Sequence, residues 1–385
     1  MLLLLALAQA AALALLVIRL LPGRHRRPPI APATDASSTP TVSVIVATLN
    51  EEHRLAPCLN GLMAQGPIVG EILVVDSGSS DGTAALILDA ATRDPRIRLL
   101  RDDPLPAGWV GKVWALEHGL RQATGEWVLG IDADTEPRPG LAAGAVSAAI
   151  ECRYDAVSFS PRFRIDSAAE RWLQPALLVT LVYRVGAAGT EADPDRVMAN
   201  GQCFLARRAV LLDAGGYRIA RASFCDDVTL ARHLARTGHH VGFLDGSRLY
   251  DVRSYTSVRE TWREWGRSLD LKDASTTWRQ WGDVLFLLLV QGIPLPALVL
   301  LGALWMTGAS LGEPAKLVGL VSGILVLVRV LLQRALATSY ARTGIAFWLS
   351  PTADPLAAVR ILLSTVRRPR AWRGRAYAKM GKVGV

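Results

Sequence analysis

Cysteine is scarce in this sequence. The chain has 4 cysteines in 385 residues, with neither CxxC spacing nor a dense framework. This pattern is typical of reduced thiols in a cytosolic compartment and argues against a disulfide scaffold. The Gly- and Ser-rich turn at 76–83 also lacks the GxGxxG and Walker spacings, so phosphate binding of those two types is not expected.

Acidic residues are absent from the last nineteen residues. The formal net charge of the chain is +9, and the segment that begins at Arg367 contributes +7 of it. A nucleic-acid partner is one interpretation, but a basic run beside apolar helices is more typical of the cytoplasmic membrane face. We therefore expect a membrane as partner and no nucleic acid.

Apolar residues are abundant. They make up 51% of the chain, and the mean hydropathy is +0.26. Positive charge follows the first apolar run and does not precede it, which is unlike a cleaved signal peptide and places the next segment in the cytoplasm. The runs predict three membrane spans, at 1–21, about 284–306 and about 316–333.

The last apolar stretch, 344–366, is interrupted by Pro351, Asp354, Pro355 and Arg360. A full crossing there would place the basic tail outside, so we expect a re-entrant or interfacial segment and a cytoplasmic tail at 367–385. Arg329, near the end of the third span, is expected to snorkel to the cytoplasmic face. The prediction is a multi-pass protein of the cell inner (plasma) membrane.

Between these runs, β-rich segments alternate with helical sequence. The runs at 41–48 and 71–75 each end in a polar turn and predict a βαβ unit. Further strands are predicted near 97–100, 127–132, 156–160 and 200–207. The pattern predicts an α/β domain over 41–270, after a Pro-, Ala-, Ser- and Thr-rich linker at 22–40, with a membrane region over 271–385.

Two carboxylates, Asp132 and Asp134, end the predicted strand that begins at Trp127. Open α/β sheets bind ligands at such edges, and two hard oxygen ligands can hold Mg²⁺ or Mn²⁺ against a diphosphate. An ordinary acidic turn is the alternative.

Asp76 and Lys112 are candidates for nucleotide contact. Asp76 ends a strand and can accept hydrogen bonds from a base or ribose, although Asp is also common in turns. Lys112 begins a helix, where its charge opposes the macrodipole; a nearby phosphate would explain it, and so would a solvated helix start.

Adjacent carboxylates, Asp226 and Asp227, stand at another helix start. They suit an N-cap and the macrodipole, or one of them is a general base whose pKa the other raises. Arg263 and Arg267 lie among tryptophans that suit a membrane interface, and guanidinium groups suit a diphosphate.

In their order along the chain these motifs resemble glycosyltransferase family 2. The match covers about 41–267 and consists of Thr48-Leu-Asn-Glu-Glu52, Val74-Val-Asp-Ser-Gly-Ser-Ser-Asp-Gly-Thr83, Gly111-Lys112, Asp132-Ala-Asp134 and Asp226-Asp227. The chain is also similar to the membrane-bound group with hopanoid-associated and carotenoid glycosyltransferases, through 105–115 (LPAGWVGKVWA) and 372–377 (WRGRAY).

The resemblance implies a GT-A fold, a Rossmann-like mixed sheet with helices on both faces, here joined to transmembrane helices. It also implies a nucleotide-diphosphate-sugar donor with a UDP-sugar favoured, a divalent metal (Mn²⁺ or Mg²⁺) and an inverting single displacement. Carried over by position, Glu51 and Asp76 would contact the nucleoside, with Lys112 near the nucleotide. Asp132 would approach ribose or metal, and Asp134 would bind the metal.

The catalytic residues implied by the resemblance are Asp227, Asp226 and Arg267. Asp227 matches the general base that deprotonates the acceptor hydroxyl, and Asp226 stands where the family usually has Glu. Glu136 holds a position that is a metal ligand in some relatives. Processive synthases carry Gln-x-x-Arg-Trp before their membrane helices, whereas this chain has Glu264-Trp-Gly-Arg-Ser268, in which Arg267 keeps the diphosphate role.

We therefore expect a membrane-bound hexosyltransferase that moves a sugar to the hydroxyl of a hopanoid, carotenoid or polyprenyl-like lipid acceptor. Two alternatives remain. One is a processive polysaccharide synthase, disfavoured by the changed Gln-x-x-Arg-Trp motif. The other is a non-catalytic membrane scaffold with the same fold, disfavoured by the two intact aspartate pairs.

Overall fold

The chain forms two compact units. The computed structural model describes residues 1–34, 42–253, 255 and 257–367, with the backbone of 371–372 and 375–376. The described parts of 1–26, 164–187 and 254–368 make a helical unit, and those of 27–163, 188–253 and 369–385 make an α/β unit. This division differs from the predicted boundaries, because 164–187 lies within the predicted α/β domain and belongs to the helical unit.

The strands carry the α/β unit. They are β1 (Val42–Thr48), β2 (Val69–Asp76), β3 (Ile97–Arg101), β4 (Trp127–Asp132), β5 (Thr135–Pro137), β6 (Ala156–Ser160), β7 (Arg162–Arg164), β8 (Cys203–Arg207), β9 (Val241–Asp245), β10 (Tyr250–Arg253), β11 (Ala371–Trp372) and β12 (Arg375–Ala376). A seven-stranded sheet has the order β3-β2-β1-β4-β8-β6-β9, and β5-β10-β7 form a second sheet.

Strand direction in the large sheet is mixed. Strands β1, β2, β3 and β4 are parallel, whereas β8 runs antiparallel to both β4 and β6. The strand order reverses between β1 and β4, which is the topological switch point where open α/β sheets bind ligands. The predicted fold class, α/β with a mixed sheet, is confirmed.

The helices in chain order are α1 (Leu2–Leu20), α2 (Leu55–Met63), α3 (Thr83–Arg93), α4 (Gly111–Gln122), α5 (Leu141–Glu151), α6 (Ala168–Val185), α7 (Arg208–Asp213), α8 (Asp226–Arg236), α9 (Val258–Ser268), α10 (Thr277–Leu287), α11 (Pro294–Met306), α12 (Glu313–Leu336), α13 (Ile345–Trp348) and α14 (Asp354–Val366). Strand side chains alternate between two buried clusters. Val44 and Val46 pack with α2, α3 and α5, whereas Ile45 packs with α4, α7 and α8. This alternation places helices on both faces of the sheet.

Part of the predicted linker is in contact with the α/β unit. The backbone N–H of Ile30 donates to Asp245 O at 2.8 Å, and that of Ala33 donates to Gly140 O at 3.1 Å. A Cβ added to Gly144 on α5 would stand 2.5 Å from Ala31 O. Residues 28–34 therefore lie against α5, at a position where a side chain larger than that of glycine would clash. Residues 35–41 are outside the described residues.

Within the helical unit, two helices are long and apolar enough to cross a membrane, spanning Leu2–His25 and Glu313–Ser339. A third candidate is the pair Thr277–Gly292 and Pro294–Met306, bent by 41°. Gln9, the one polar residue in the first apolar run, is buried, and its Nε2 donates to Ser322 Oγ at 3.3 Å. This bond joins α1 to α12.

The position of Arg329 differs from the prediction. Its side chain does not snorkel to the cytoplasmic face, because the residue is 2% exposed and its Nε donates to Asp354 Oδ2 at 2.8 Å. Ser350 and Gln333 also accept hydrogen bonds from this guanidinium. Asp354, one of the residues that interrupt 344–366, is thus a partner for a cation on α12.

Candidate active site

The turns after β1 and β2 hold each other in place. Asn50, whose φ of 55° is left-handed, accepts a hydrogen bond from Ser80 N at 2.9 Å through Oδ1. Glu52 Oε2 accepts one from Gly82 N at 3.1 Å, and Glu51 N donates to Thr83 Oγ1 at 2.8 Å. We call this set of bonds the turn clasp. It fixes both turns at the carboxyl edge of the sheet.

Asp76 lies at the end of β2, opposite Thr48 of β1. Its Oδ1 accepts hydrogen bonds from the N–H and hydroxyl of Ser79, whereas its buried Oδ2 has no hydrogen-bond partner among the described residues. A buried acceptor without a partner is costly, and such an atom suits a ligand donor such as a base N–H. Glu51, the other predicted nucleoside contact, is buried on the neighbouring turn.

Three carboxylates lie at or shortly after the end of β4. Asp132, Asp134 and Glu136 are half-buried, while Ala133 and Thr135 between them are buried. Thr135 Oγ1 donates to Asp132 O at 2.8 Å and fixes the turn from below. The alternating burial along 132–136 therefore leaves the predicted metal ligands Asp132 and Asp134 partly exposed.

Cys58 lies under this turn, and its thiol approaches Asp132 O at 3.7 Å. Burial and the nearby Asp134, Asp132 and Glu51 raise the pKa of Cys58 to about 12, against a hydrogen bond from Thr135 that lowers it. The thiol stays neutral at physiological pH and supports the turn without acting as a nucleophile.

Lys112 joins the two aspartate pairs. It is the second residue of α4, and its Nζ lies 2.6 Å from Asp132 Oδ1. Burial lowers the pKa of this ammonium, but the charges of Asp132, Asp226 and Asp227 outweigh burial and raise the pKa above its ordinary value. Lys112 is therefore protonated and the predicted solvated helix start does not apply, because its side chain is only 13% exposed.

Asp227 stands in the first turn of α8 with Asp226. Its Oδ2 accepts a hydrogen bond from Gly201 N at 2.7 Å and its Oδ1 accepts one from Val228 N at 2.8 Å. Burial and the Asp226 charge raise the pKa of Asp227 to about 6, although Lys112 and both backbone bonds lower it. A carboxylate with a pKa near the working pH is suited to proton transfer.

Gly201 is a site residue that sequence analysis missed. Residues 200–207 were predicted only as a strand, but β8 begins at Cys203 and Gly201 lies in the loop before it. A Cβ on Gly201 would stand 3.0 Å from Lys112 Nζ and 3.5 Å from Asp227 Cβ. An Asn-Gly pair just before a strand is the signal that indicates such a close backbone approach.

The residues present fit a divalent metal held jointly with a ligand. Among the described residues, no three His, Cys, Asp or Glu side chains form a group that would hold a metal by themselves. Mg²⁺-type sites commonly use one or two carboxylates and complete their shell with substrate phosphates and water. Asp132 and Asp134 are the predicted pair of this kind.

Arg267 lies on α9 of the helical unit, where its Nε is 3.7 Å from Glu264 Oε2. Its predicted diphosphate role stays a prediction. The other predicted site residues, from Glu51 to Asp227, all belong to the α/β unit.

Residues 43–213 match the family model described as glycosyl transferase family 2. Over these residues the chain is similar to family 2 glycosyl transferases, and we call 43–213 the family 2 domain. The domain begins within β1 and ends with α7, so it contains the turn clasp, Lys112 and the β4 carboxylates, while Asp226 and Asp227 follow it.

Two curated relatives match parts of this domain. The chain is 34% identical over 110 residues to the succinoglycan biosynthesis protein ExoO of Rhizobium meliloti, covering 28% of this chain and 29% of that protein. It is 26% identical over 136 residues to the uncharacterized glycosyltransferase YibD of Escherichia coli, covering 35% and 38%. The matches thus span about a third of the length of these relatives.

Among solved structures, the mannosyltransferase PcManGT from Pyrobaculum calidifontis, in complex with GDP-Man and Mn²⁺, has a similar fold. The TM-score is 0.56 at 20% sequence identity, and the match covers 95% of this chain and 98% of that one. This likeness concerns the fold.

Proposed function

We propose that the protein transfers one sugar, of hexose type, from a nucleotide-diphosphate sugar to the hydroxyl of a lipid acceptor, with inversion at the anomeric carbon. The observation that carries the proposal is the environment of Asp227, a half-buried carboxylate whose pKa is raised to about 6, beside the Lys112 and Asp132 pair. These groups meet beside the switch point of the family 2 domain, where the sheet presents its carboxyl edge.

The donor's nucleoside would lie against the turn clasp. Asp76 Oδ2 is a buried acceptor that suits a base N–H, and Glu51 lies on the adjoining turn. Lys112 would approach the diphosphate, and Arg267 is proposed to contribute a second cation there. PcManGT was solved with GDP-Man, so a guanine donor is a candidate beside the UDP-sugar that the motifs favour.

Asp132 and Asp134 would hold a divalent metal together with the donor's phosphates, and PcManGT was solved with Mn²⁺. Such a cation supplies charge neutralisation of the leaving diphosphate. Glu136, on the same side of the turn, is a further candidate ligand. Lys112 would add a fixed positive charge next to the leaving group, where charge develops during transfer.

Asp227 would act as the general base. One of its carboxylate oxygens accepts the acceptor's hydroxyl proton while the alcohol oxygen bonds to the anomeric carbon, and the bond from that carbon to the diphosphate breaks with its electron pair. The backbone bonds from Gly201 and Val228 hold the carboxylate in place. Asp226 raises the pKa of Asp227 and so makes it a stronger base.

Membrane attachment supports a lipid acceptor. Large apolar side chains on α1, α11 and α12 are exposed, among them Leu4, Val299 and Leu331. The helices Leu2–His25 and Glu313–Ser339 would span the membrane, with the bent pair as a third, broken span, and 344–366 would be re-entrant. We place the protein in the inner (plasma) membrane, with the family 2 domain and the basic tail cytoplasmic.

The test incubates membranes that contain the protein with radiolabelled UDP-glucose, UDP-GlcNAc or GDP-mannose and Mn²⁺, then extracts them with organic solvent. Label should enter a short lipid product. Asp227→Asn should lower transfer by about 10²- to 10⁴-fold, and Asp134→Ala should lower it strongly as well. Exposed Asp89, paired with Arg93 on α3, gives the control variant Asp89→Asn, which should keep full activity.

Other results distinguish the two alternatives. Label confined to insoluble polymer would indicate the processive polysaccharide synthase. Metal-independent nucleotide binding without transfer to any supplied hopanoid, carotenoid or polyprenyl acceptor would indicate the scaffold and contradict the proposed enzyme.

A further inference from the structure

The candidate active site has more negative than positive charge. The ammonium of Lys112 contacts the carboxylate of Asp132 and lies within the influence of the charges of Asp226 and Asp227, and Asp134 follows Asp132 by two residues. A donor diphosphate carries negative charge as well, so its approach to this group of acids is unfavourable without further cations.

Lys112 lies in direct contact with Asp132, one of the two predicted metal ligands. Its Nζ is 2.6 Å from Asp132 Oδ1, closer than an ordinary charge-assisted hydrogen bond. The side chain is largely buried on α4, and the Cβ position of Gly201 lies 3.0 Å from Nζ on another side. The backbone at Gly201 therefore approaches the ammonium closely enough that an added Cβ would crowd it.

We infer that the Lys112 ammonium and a divalent cation compete for the Asp132 carboxylate, and that the donor's diphosphate decides the competition by drawing Lys112 to itself. Two cations in direct contact with one carboxylate repel each other, so each weakens the binding of the other. Phosphate oxygens offer Lys112 an alternative anion a short side-chain movement away. The inference rests on the proposed donor and metal site.

Metal and nucleotide should then bind cooperatively. The nucleotide releases Asp132 for the metal, and the metal neutralises the acids that repel the nucleotide. By linkage, each ligand raises the affinity for the other by the same factor. Lys112 is thus a positioning residue that makes metal loading depend on donor binding.

The experiment measures Mn²⁺ binding directly, without turnover. Purified full-length protein in detergent is titrated with MnCl₂ at pH 7.5, and free Mn²⁺ is read from its electron paramagnetic resonance signal, with and without UDP or GDP. In the absence of nucleotide, Lys112→Met should bind Mn²⁺ about tenfold or more tightly than the unmodified protein, because a competing unit charge is removed. Adding the nucleotide should tighten Mn²⁺ binding much less in Lys112→Met than in the unmodified protein.

Three control variants make the comparison specific. Lys112→Arg keeps the charge and should keep the weak, nucleotide-dependent binding. Lys316→Met removes an exposed ammonium that pairs with Glu313 outside the site, and should change nothing. Asp132→Asn combined with Lys112→Met should lose the gain, and Lys112→Gln repeats the test if the Met variant does not fold.

The outcomes separate this inference from the proposed function. Equal nucleotide-free Mn²⁺ affinity in the unmodified protein and in the folded Lys112 variants would overturn the inference, even if nucleotide-dependent Mn²⁺ binding upheld the donor site. Absence of Mn²⁺ binding in every protein, with or without nucleotide, would overturn both.

Discussion

At the scale of single residues, the chemistry of the site depends on the environment of Asp227. Burial and Asp226 raise its pKa, and Lys112 with two backbone N–H groups opposes them. Because the pKa of Asp227 is raised in the folded protein, ionisation of this carboxyl group lowers the free energy of unfolding as pH rises through about 6. The same change makes the group a competent base near neutral pH.

The activity should follow this titration. We expect kcat/KM for sugar transfer to rise between pH 5 and 7 with an apparent midpoint of about 6, because only the carboxylate form accepts the hydroxyl proton. Asp226→Asn should move the midpoint to lower pH, because it removes a charge that raises the pKa of Asp227. A pH–rate profile of both proteins measures the shift, and a midpoint that stays in place would contradict the coupling.

Removal of the proposed base should lower the rate of sugar transfer strongly. Asp227→Asn keeps the shape of the side chain and should lower kcat by about 10²- to 10⁴-fold while Mn²⁺ and nucleotide binding persist. Equilibrium binding of a labelled nucleotide serves as the control for folding. Retained activity in this variant would exclude Asp227 as the base.

At the scale of elements, a close contact with α5 requires glycine at position 144, although glycine is a poor helix former. Gly144 lies inside a helix, where Ala is the better helix former by about 1 kcal/mol. Nevertheless we expect Gly144→Ala to destabilise the contact, because its Cβ would stand 2.5 Å from Ala31 O. Hydrogen exchange of a peptide covering 28–34 should become faster. Gly282→Ala on α10, where a Cβ meets nothing within 4 Å, is the matched control and should leave that exchange unchanged.

The buried pair of Arg329 and Asp354 gives a second element-scale prediction. Arg329→Met alone leaves a buried carboxylate without its cation and should cost about 3 to 5 kcal/mol, seen as a clear fall in the thermal midpoint in detergent. Arg329→Met combined with Asp354→Leu should recover most of that loss, because apolar pairs replace buried ion pairs at little cost. Equal midpoints for the single and double variants would show that the pair does not act as a unit.

Sequence patterns located the elements and most of the site because those signals are local. Apolar runs ending in polar turns predicted β1, β2 and β4, and the helix starts at Lys112 and Asp226 lie within one residue of the observed ones. Partners distant in sequence were not predictable in this way. The partnership of Gln9 with Ser322 and that of Gly201 with Asp227 depend on the tertiary fold alone.

A local motif can also be overridden. Ser167 and Glu170 have the spacing of a capping box, and Ser167 does precede α6, but it makes no side-chain capping hydrogen bond. Glu170 instead accepts a hydrogen bond from Thr261 Oγ1 at 2.7 Å, and so joins α6 to α9. A buried partner on another helix outweighed the local bond that the motif offers.

At the scale of the whole molecule, apolar helices and a basic tail should keep the protein in the membrane. We expect it to stay in the membrane pellet after alkaline carbonate and high-salt washes, because spanning helices resist extraction that removes electrostatically bound proteins. Fractionation and immunoblotting measure this, with a peripheral protein of the same membranes as control. Release by salt alone would contradict the spanning helices.

The side of the membrane is testable separately. Protease added to sealed right-side-out vesicles should spare the family 2 domain and cut it only after the vesicles are opened, because the charge that follows the first apolar run is positive. Cleavage in sealed vesicles would reverse the proposed orientation.

The turn clasp also affects the entropy of donor binding. Asn50 and Glu52 already bond to the neighbouring turn at Ser80 and Gly82, so the chain has lost the freedom of these loops during folding. A nucleoside that settles there meets ordered loops and need not immobilise them again. Calorimetry of nucleotide binding should therefore show a small entropic penalty, and cutting the clasp with Asn50→Ala should make that penalty larger.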